Sequence, residues 1–245
     1  MTLILGLICA DGVVLASDSQ ATYLTGGQQV KGDITKLVPQ WLNLAWAASG
    51  DVGVAQHVRH VFSEHDKLGQ QAYFENRTPD TVMKEICEIL RPSLREYFAG
   101  LLNFPNSNPW TAFLFCGWVK DGPVLFEVGA DLIATDHREP GYAAIGSGDI
   151  FPYFALASLK HHNVRECSVP RATLIAHRVV DDAIGVAAYG LGPPVQMITI
   201  ARGEAAQVRE DIEAIEDGVR QWKEIERDAL ARHLEQPTGG EAEGD

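Results

Sequence analysis

Thr2 is the residue whose position most directly invites chemistry. It follows Met1, and a small second residue permits removal of that methionine. Once Met1 is gone, one residue carries both a hydroxyl nucleophile and a free amine to serve as its base. An α-amine titrates at roughly 7.7–8.0, close to working pH. A cation beside it favours the deprotonated forms of amine and hydroxyl alike. Lys36 is a candidate for that cation, and Asp18 for the carboxylate that keeps the lysine charged and in place. Taken alone, the two also read as an ordinary ion pair between neighbouring strands. Acyl transfer develops negative charge on a carbonyl oxygen, which a backbone N–H can stabilise. Gly50, after Ala47-Ala48-Ser49, lets the backbone approach a substrate closely enough to do so. Gly146-Ser147-Gly148 is a candidate to bring a second hydroxyl near the amine. Each glycine stretch, taken alone, is also an ordinary turn.

These residues need elements to hold them. Leu3–Cys9 and Val13–Ser17 are apolar runs joined through Asp11-Gly12, a strong hairpin signal. Ile34–Val38 and Leu42–Ala48 read as a second strand pair, broken at Pro39. A helix is expected over 52–67, with Val54, Val58 and Phe62 at spacing four. Another starts at Thr78-Pro79-Asp80, with Thr78 as cap and proline in the first turn, and continues past Pro92 with a kink. Residues 100–110 form a loop. Thr111–Val119 and Pro123–Val128 flank Asp121-Gly122 as a further hairpin. Helices follow over 150–162 and 170–187, and Gly192-Pro193-Pro194 precedes a last strand, Val195–Ala201. Strands, two helices, strands, two helices and a strand do not make a βαβ alternation. Two antiparallel sheets with helices on their outer faces fit better, an α+β arrangement.

The 245-residue chain carries a net charge of −13, from 20 Lys and Arg against 33 Asp and Glu. That balance argues against nucleic acid and anionic membranes as partners. Residues 204–245 hold 13 acids and 5 bases, so the acidity concentrates there. Within them Val208, Ile212, Ile215, Val219 and Trp222 repeat at alternating spacings of four and three. This is an amphipathic helix with a heptad-type seam, folded back on its own domain or facing another subunit. The expected organisation is a main domain over 1–203, an acidic helical extension over 204–236 and a disordered tail over 237–245. No apolar run is long enough to span a membrane, and no signal peptide is evident. Cys9, Cys87, Cys116 and Cys167 make neither CxxC pairs nor zinc spacing, so reduced buried thiols in a cytosolic protein are expected, with no metal and no cofactor.

The ordered set of motifs resembles the proteasome β-type subunits, and more closely the HslV-type peptidase, of the N-terminal nucleophile hydrolase superfamily. The matching stretches are Thr2, Asp18-Ser19-Gln20-Ala21-Thr22, Val30-Lys31-Gly32 with Lys36, Ala47-Ala48-Ser49-Gly50-Asp51, and Ala143-Ala144-Ile145-Gly146-Ser147-Gly148. The hairpin of Phe115-Cys116-Gly117-Trp118 with Gly122-Pro123-Val124-Leu125-Phe126 adds to them, and the resemblance covers roughly residues 2–200. It implies a four-layer αββα sandwich and a threonine peptidase cleaving peptides or unfolded proteins inside a homo-oligomeric ring. Thr2 would be the nucleophile, with its amine as base through a water. Asp18 and Lys36 would tune it, the Gly50 N–H would hold the oxyanion, and Ser147 would assist near the amine. Backbone groups of Thr22 and Gly50 would pair with an extended substrate, and Ala48 would form the base of a roomy side-chain pocket. The resemblance departs at Gly185–Gly190, where many β subunits carry an aspartate, and in the longer segments 64–110 and 202–245. No Gly-x-x-x-x-Gly-Lys-Ser/Thr loop occurs, so ATP-driven unfolding would need a separate ATPase or cap. A non-peptide amidase on the same nucleophile, an inactive ring scaffold, and an interaction protein acting through its acidic helix remain open on the sequence.

Overall fold

The structure is a computed structural model that describes residues 2–25, 28–65, 76–101, 110–187 and 190–235. The expected tail over 237–245 and most of the loop at 100–110 lie outside the described residues.

The first hairpin forms as expected, β1 (Ile4–Ile8) against β2 (Gly12–Ser17), with Leu5 opposite Ala16. β1 pairs on its other side with β10 (Tyr142–Ile145), and β2 pairs with β11 (Gln196–Ala201). A short β12 (Gln207–Val208) closes this antiparallel sheet in the order β10-β1-β2-β11-β12. The second sheet runs β5 (Leu37–Trp41), β6 (Leu44–Gly50), β7 (Thr111–Val119), β8 (Gly122–Val128), β9 (Ala134–Asp136) in chain order, again antiparallel. A separate hairpin joins β3 (Gln20–Thr25) to β4 (Gln28–Asp33).

Alternation along the strands explains how the layers stack. In β1 and the residues flanking it, Leu3, Leu5, Leu7 and Cys9 face one buried cluster, together with Val14 and Ala16 of β2. Ile4, Ile8, Val13 and Leu15 face the other way, against Leu37, Ala45, Ala47, Leu114 and Leu125 of the second sheet. The first sheet is covered on its outer face by α3 (Ile150–Ser158), α4 (Val169–Val186) and α5 (Ile212–Glu235). The second is covered by α1 (Val52–Glu64) and α2 (Pro79–Leu101), where Trp46, Phe62, Phe113 and Phe115 pack with Val58, Ile86 and Leu90. Both faces of both sheets are therefore buried, which is why β1, β2 and β7 read as continuous apolar runs rather than alternating ones. The result is a four-layer αββα sandwich.

Several boundaries differ from the sequence expectation for identifiable reasons. β5 runs through Pro39 to Trp41 with a register shift there. It is an edge strand, where a residue lacking an N–H forfeits no second ladder. The helix expected over 150–162 ends at Ser158, and 3₁₀ turns at Lys160–His162 and Val164–Glu166 follow. Val208 belongs to β12, opposite Ile198, and is exposed, so the heptad-like seam begins at Ile212. Ile215 and Val219 are buried, and Ile215 joins the cluster of the first sheet and α4. α2 starts at Pro79, with the Thr81 N–H donating to Thr78 Oγ1, and passes through Pro92. The four cysteines are free and buried.

Candidate active site

The hairpin places Thr2 just ahead of β1 and Asp18 just after β2, at the same end of the first sheet. Two hydrogen bonds tie these ends together. The Leu3 N–H donates to Asp18 Oδ1 at 2.9 Å, and the Asp18 N–H to the Leu3 carbonyl at 3.3 Å. On the other side of β1, the Thr2 N–H donates to Ser147 Oγ at 3.2 Å, and Gly148 N–H donates to the Thr2 carbonyl at 3.1 Å. Gly146 makes this approach possible. Its φ is +108°, and a Cβ there would lie 2.2 Å from the Thr2 carbonyl oxygen.

Asp18 has no exposed surface. Its Oδ1 accepts from Lys36 Nζ at 2.5 Å as well as from Leu3, and its Oδ2 accepts from the N–H groups of Gln20 at 3.1 Å and Gly192 at 3.4 Å. Four donors on one carboxylate satisfy a buried charge. Lys36 sits just before β5 and is held by its own backbone. Its N–H donates to Gln196 Oε1 at 3.0 Å, while Gln196 Nε2 donates to the Ile34 carbonyl at 2.6 Å. Burial pushes the Lys36 ammonium below its ordinary value, and the Asp18 carboxylate pulls it back up.

Gly50 ends β6 with φ +114°, and a Cβ there would fall 1.9 Å from the Trp110 carbonyl oxygen. The next residue, Asp51, donates its N–H to that same carbonyl at 3.0 Å and caps α1 with Oδ1, which accepts from Gly53 and Val54. The strand-to-helix turn is thus pinned at both ends, with a glycine at the one point where a side chain has no room.

A cleft of about 450 Å³ opens over this region. Thr2, Lys36, Ala48, Gly50 and Ser147 all line it, and Asp18 lies buried behind Lys36. Thr22 belongs to β3, the strand that follows Asp18. Its strand reaches the cleft through Ala21, and the backbone of Thr22 pairs with Lys31 in the β3–β4 hairpin. Asp181 and Asp182, the nearest acids to the stretch where an aspartate was missed, belong to α4 and pair with Lys223. Sequence reasoning passed over Trp110, Val52, Gln56 and Arg59, which also line the cleft. For Val52, Gln56 and Arg59 the signal available was the face of α1 opposite its apolar stripe, while Trp110 lies just ahead of β7.

Two antiparallel sheets held between helical layers, with a threonine at the head of a central strand, define the αββα sandwich of the N-terminal nucleophile hydrolases. A family model described as proteasome subunit matches residues 2–200, and the chain belongs to that family. It is 29% identical over 241 residues to a proteasome subunit beta from Streptomyces griseus, covering 94% of this chain and 76% of the relative. It is 27% identical over 199 residues to proteasome subunit beta 2 of Pyrococcus abyssi, covering 81% and 86%. With the corresponding subunit of Pyrococcus furiosus it shares 32% over 158 residues, 64% and 68% of the two chains.

Proposed function

We propose that this chain is a threonine-type endopeptidase whose nucleophile is Thr2, released by cleavage of the Met1–Thr2 bond. The observation that carries the reading is the convergence of Thr2, Lys36, Gly50 and Ser147 on one cleft, with the Asp18–Lys36 pair buried behind it. Thr2 Oγ attacks the carbonyl carbon of the scissile peptide bond while its proton passes, through a water, to the Thr2 amine. The Lys36 charge favours that ionisation. The oxyanion is received by the Gly50 N–H. The intermediate then collapses, the C–N bond breaks, and the leaving amine takes the proton. Water hydrolyses the resulting ester of Thr2 by the reverse assistance. Ser147 Oγ, already within hydrogen-bonding reach of the Thr2 nitrogen, orients the amine.

An extended substrate adds as a strand between the backbone of the Ala21–Thr22 segment and that of Gly50, and its side chain enters the pocket over Ala48. Peptides or unfolded proteins are the substrate class, and copies of the chain form a closed homo-oligomeric ring in the cytoplasm, fed by a separate ATPase or cap when the substrate is folded. No described helix is long and apolar enough to cross a membrane.

The test combines intact-mass measurement with labelling. Purified chain lacking Met1 should react once with an electrophile directed at N-terminal threonine and cleave fluorogenic peptides. Thr2→Ala should abolish both while leaving circular dichroism unchanged, and Lys36→Ala should lower turnover at least about a hundredfold. Retained Met1 in the active species, or full turnover in either variant, contradicts the mechanism.

A further inference from the structure

The wall of the cleft formed by α1 carries a charge that the proposed chemistry does not use. Val52, Ala55, Gln56 and Arg59 line the cleft. They recur at spacings of three and four and so share one helix face, while Val54, Val58, Val61 and Phe62 bury the other. Around them the cleft is apolar at Val38, Trp46 and Ala48. Its remaining charges are already engaged. Lys36 faces Asp18 at 2.5 Å, and Asp51 accepts the first N–H groups of α1 at that helix's positive end. Arg59 is exposed, and no acid among the described residues pairs with it. It stands seven residues beyond Val52, about 10 Å along the helix axis. A guanidinium keeps its charge at any working pH and offers a planar fork of donors that matches a carboxylate.

Resting on the peptidase reading of this cleft, we infer that Arg59 selects substrates bearing an acidic side chain, glutamate above all, on the acyl side of the scissile bond. The two methylenes of a glutamate lie along Ala48 and Val38, and its carboxylate meets the guanidinium through paired hydrogen bonds. Glutamine keeps the shape and loses the charge. Lysine meets a like charge.

Binding and cleavage are read separately. Fluorescein-labelled tetrapeptide acids that differ only in a final Glu, Gln or Lys are titrated by anisotropy against the full chain carrying Thr2→Ala. The Glu peptide should bind about fivefold or more tighter than the Gln peptide, a modest factor because the guanidinium is solvated. Adding Arg59→Ala should bring the two affinities together, and Arg59→Glu should move the preference to Lys. Alanine is the strongest helix former, so α1 persists in the first variant, and circular dichroism checks the second. Equal affinity for Glu and Gln peptides, or a preference that survives Arg59→Ala, overturns the inference. Cleavage is then measured with the Thr2 chain on longer peptides of the same series. Cleavage without charge preference removes the role of Arg59 and leaves the peptidase reading intact. Charge-selective binding without cleavage removes the peptidase and keeps Arg59 as the recognition residue.

Discussion

Asp18 concentrates four hydrogen-bond donors on a carboxylate with no exposed surface, and one of them is the buried ammonium of Lys36. Removing one partner of such a pair leaves the other charge uncompensated, which costs about 3–5 kcal/mol. Asp18→Ala should therefore lower unfolding free energy in urea by about that amount, and Asp18→Ala with Lys36→Met should recover a good part of it. A double variant no more stable than Asp18→Ala would show that backbone donors, not the lysine, need the carboxylate. At Gly50 the constraint is steric, since any Cβ meets the Trp110 carbonyl. Gly50→Ala must displace the end of β6 or the cap of α1, costing about 1–3 kcal/mol. It should also lower peptide turnover by about a hundredfold or more if the Gly50 N–H receives the oxyanion. Turnover unchanged in a folded Gly50→Ala chain would remove that assignment. That Thr2, Lys36, Gly50 and Ser147 meet at one cleft, with Asp18 paired to Lys36, was legible as a set of short motifs lying beside turns or at the head of the chain, while their chemical roles belong to the proposal. Arg59 was not legible. Helical periodicity reveals which face of α1 is buried, but not what the opposite face overlooks.

The seam between α4 and α5 shows what an element-level pattern can and cannot say. Ile215 and Val219 bury their side chains as the spacing requires, and Trp222 lies 4.2 Å beneath the Arg178 guanidinium. Arg178 also grips Glu226 through two bonds of 2.9 and 2.8 Å, and Lys223 bridges Asp181 and Asp182. The spacing of apolar residues foretold the docking stripe, while the partner helix was set by contacts distant in sequence. β3, β4 and β12 escaped the sequence reading because they are short or polar and lack the apolar alternation that marks a strand. Under α5 lies His177, 1% exposed, with neither ring nitrogen hydrogen-bonded. Burial lowers its pKa first of all. Asp181 on α4 and Glu216 on α5 oppose that, the latter 3.9 Å away, and Lys223 reinforces it. With the folded value below the unfolded one of about 6.5, the unfolded chain binds more protons in the interval between them. Stability is therefore full above pH 6.5 and falls as the pH drops. Melting temperature and hydrogen-exchange protection of α5 should decrease from pH 7 to 5.5. His177→Leu should flatten that dependence, and a slope unchanged in the variant would assign it to other groups.

At the scale of the whole molecule, three buried clusters stacked through two sheets form the core of the sandwich, yet the pairing of strands distant in the chain is invisible in the sequence. β1 pairs with β10 across more than a hundred residues, with Leu5 opposite Ala144 and Gly6 opposite Ala143. That pairing is what carries Ser147 to Thr2. Net charge, by contrast, is legible at once and bears on assembly. Each copy carries −13, with 13 acids and 5 bases after residue 203. Copies brought together in the proposed ring repel one another through these charges. Salt shortens the reach of that repulsion, from about 10 Å at 0.1 M to about 3 Å at 1 M. Association should therefore strengthen as sodium chloride is raised from about 0.05 to 0.5 M, the reverse of an assembly held by exposed ion pairs. Sedimentation velocity distinguishes the two cases. A 26.7 kDa species giving way to a discrete multiple as salt increases supports ring formation through apolar contacts. A single 26.7 kDa species at every salt concentration would remove the ring from the proposal and leave the cleft to act in one copy.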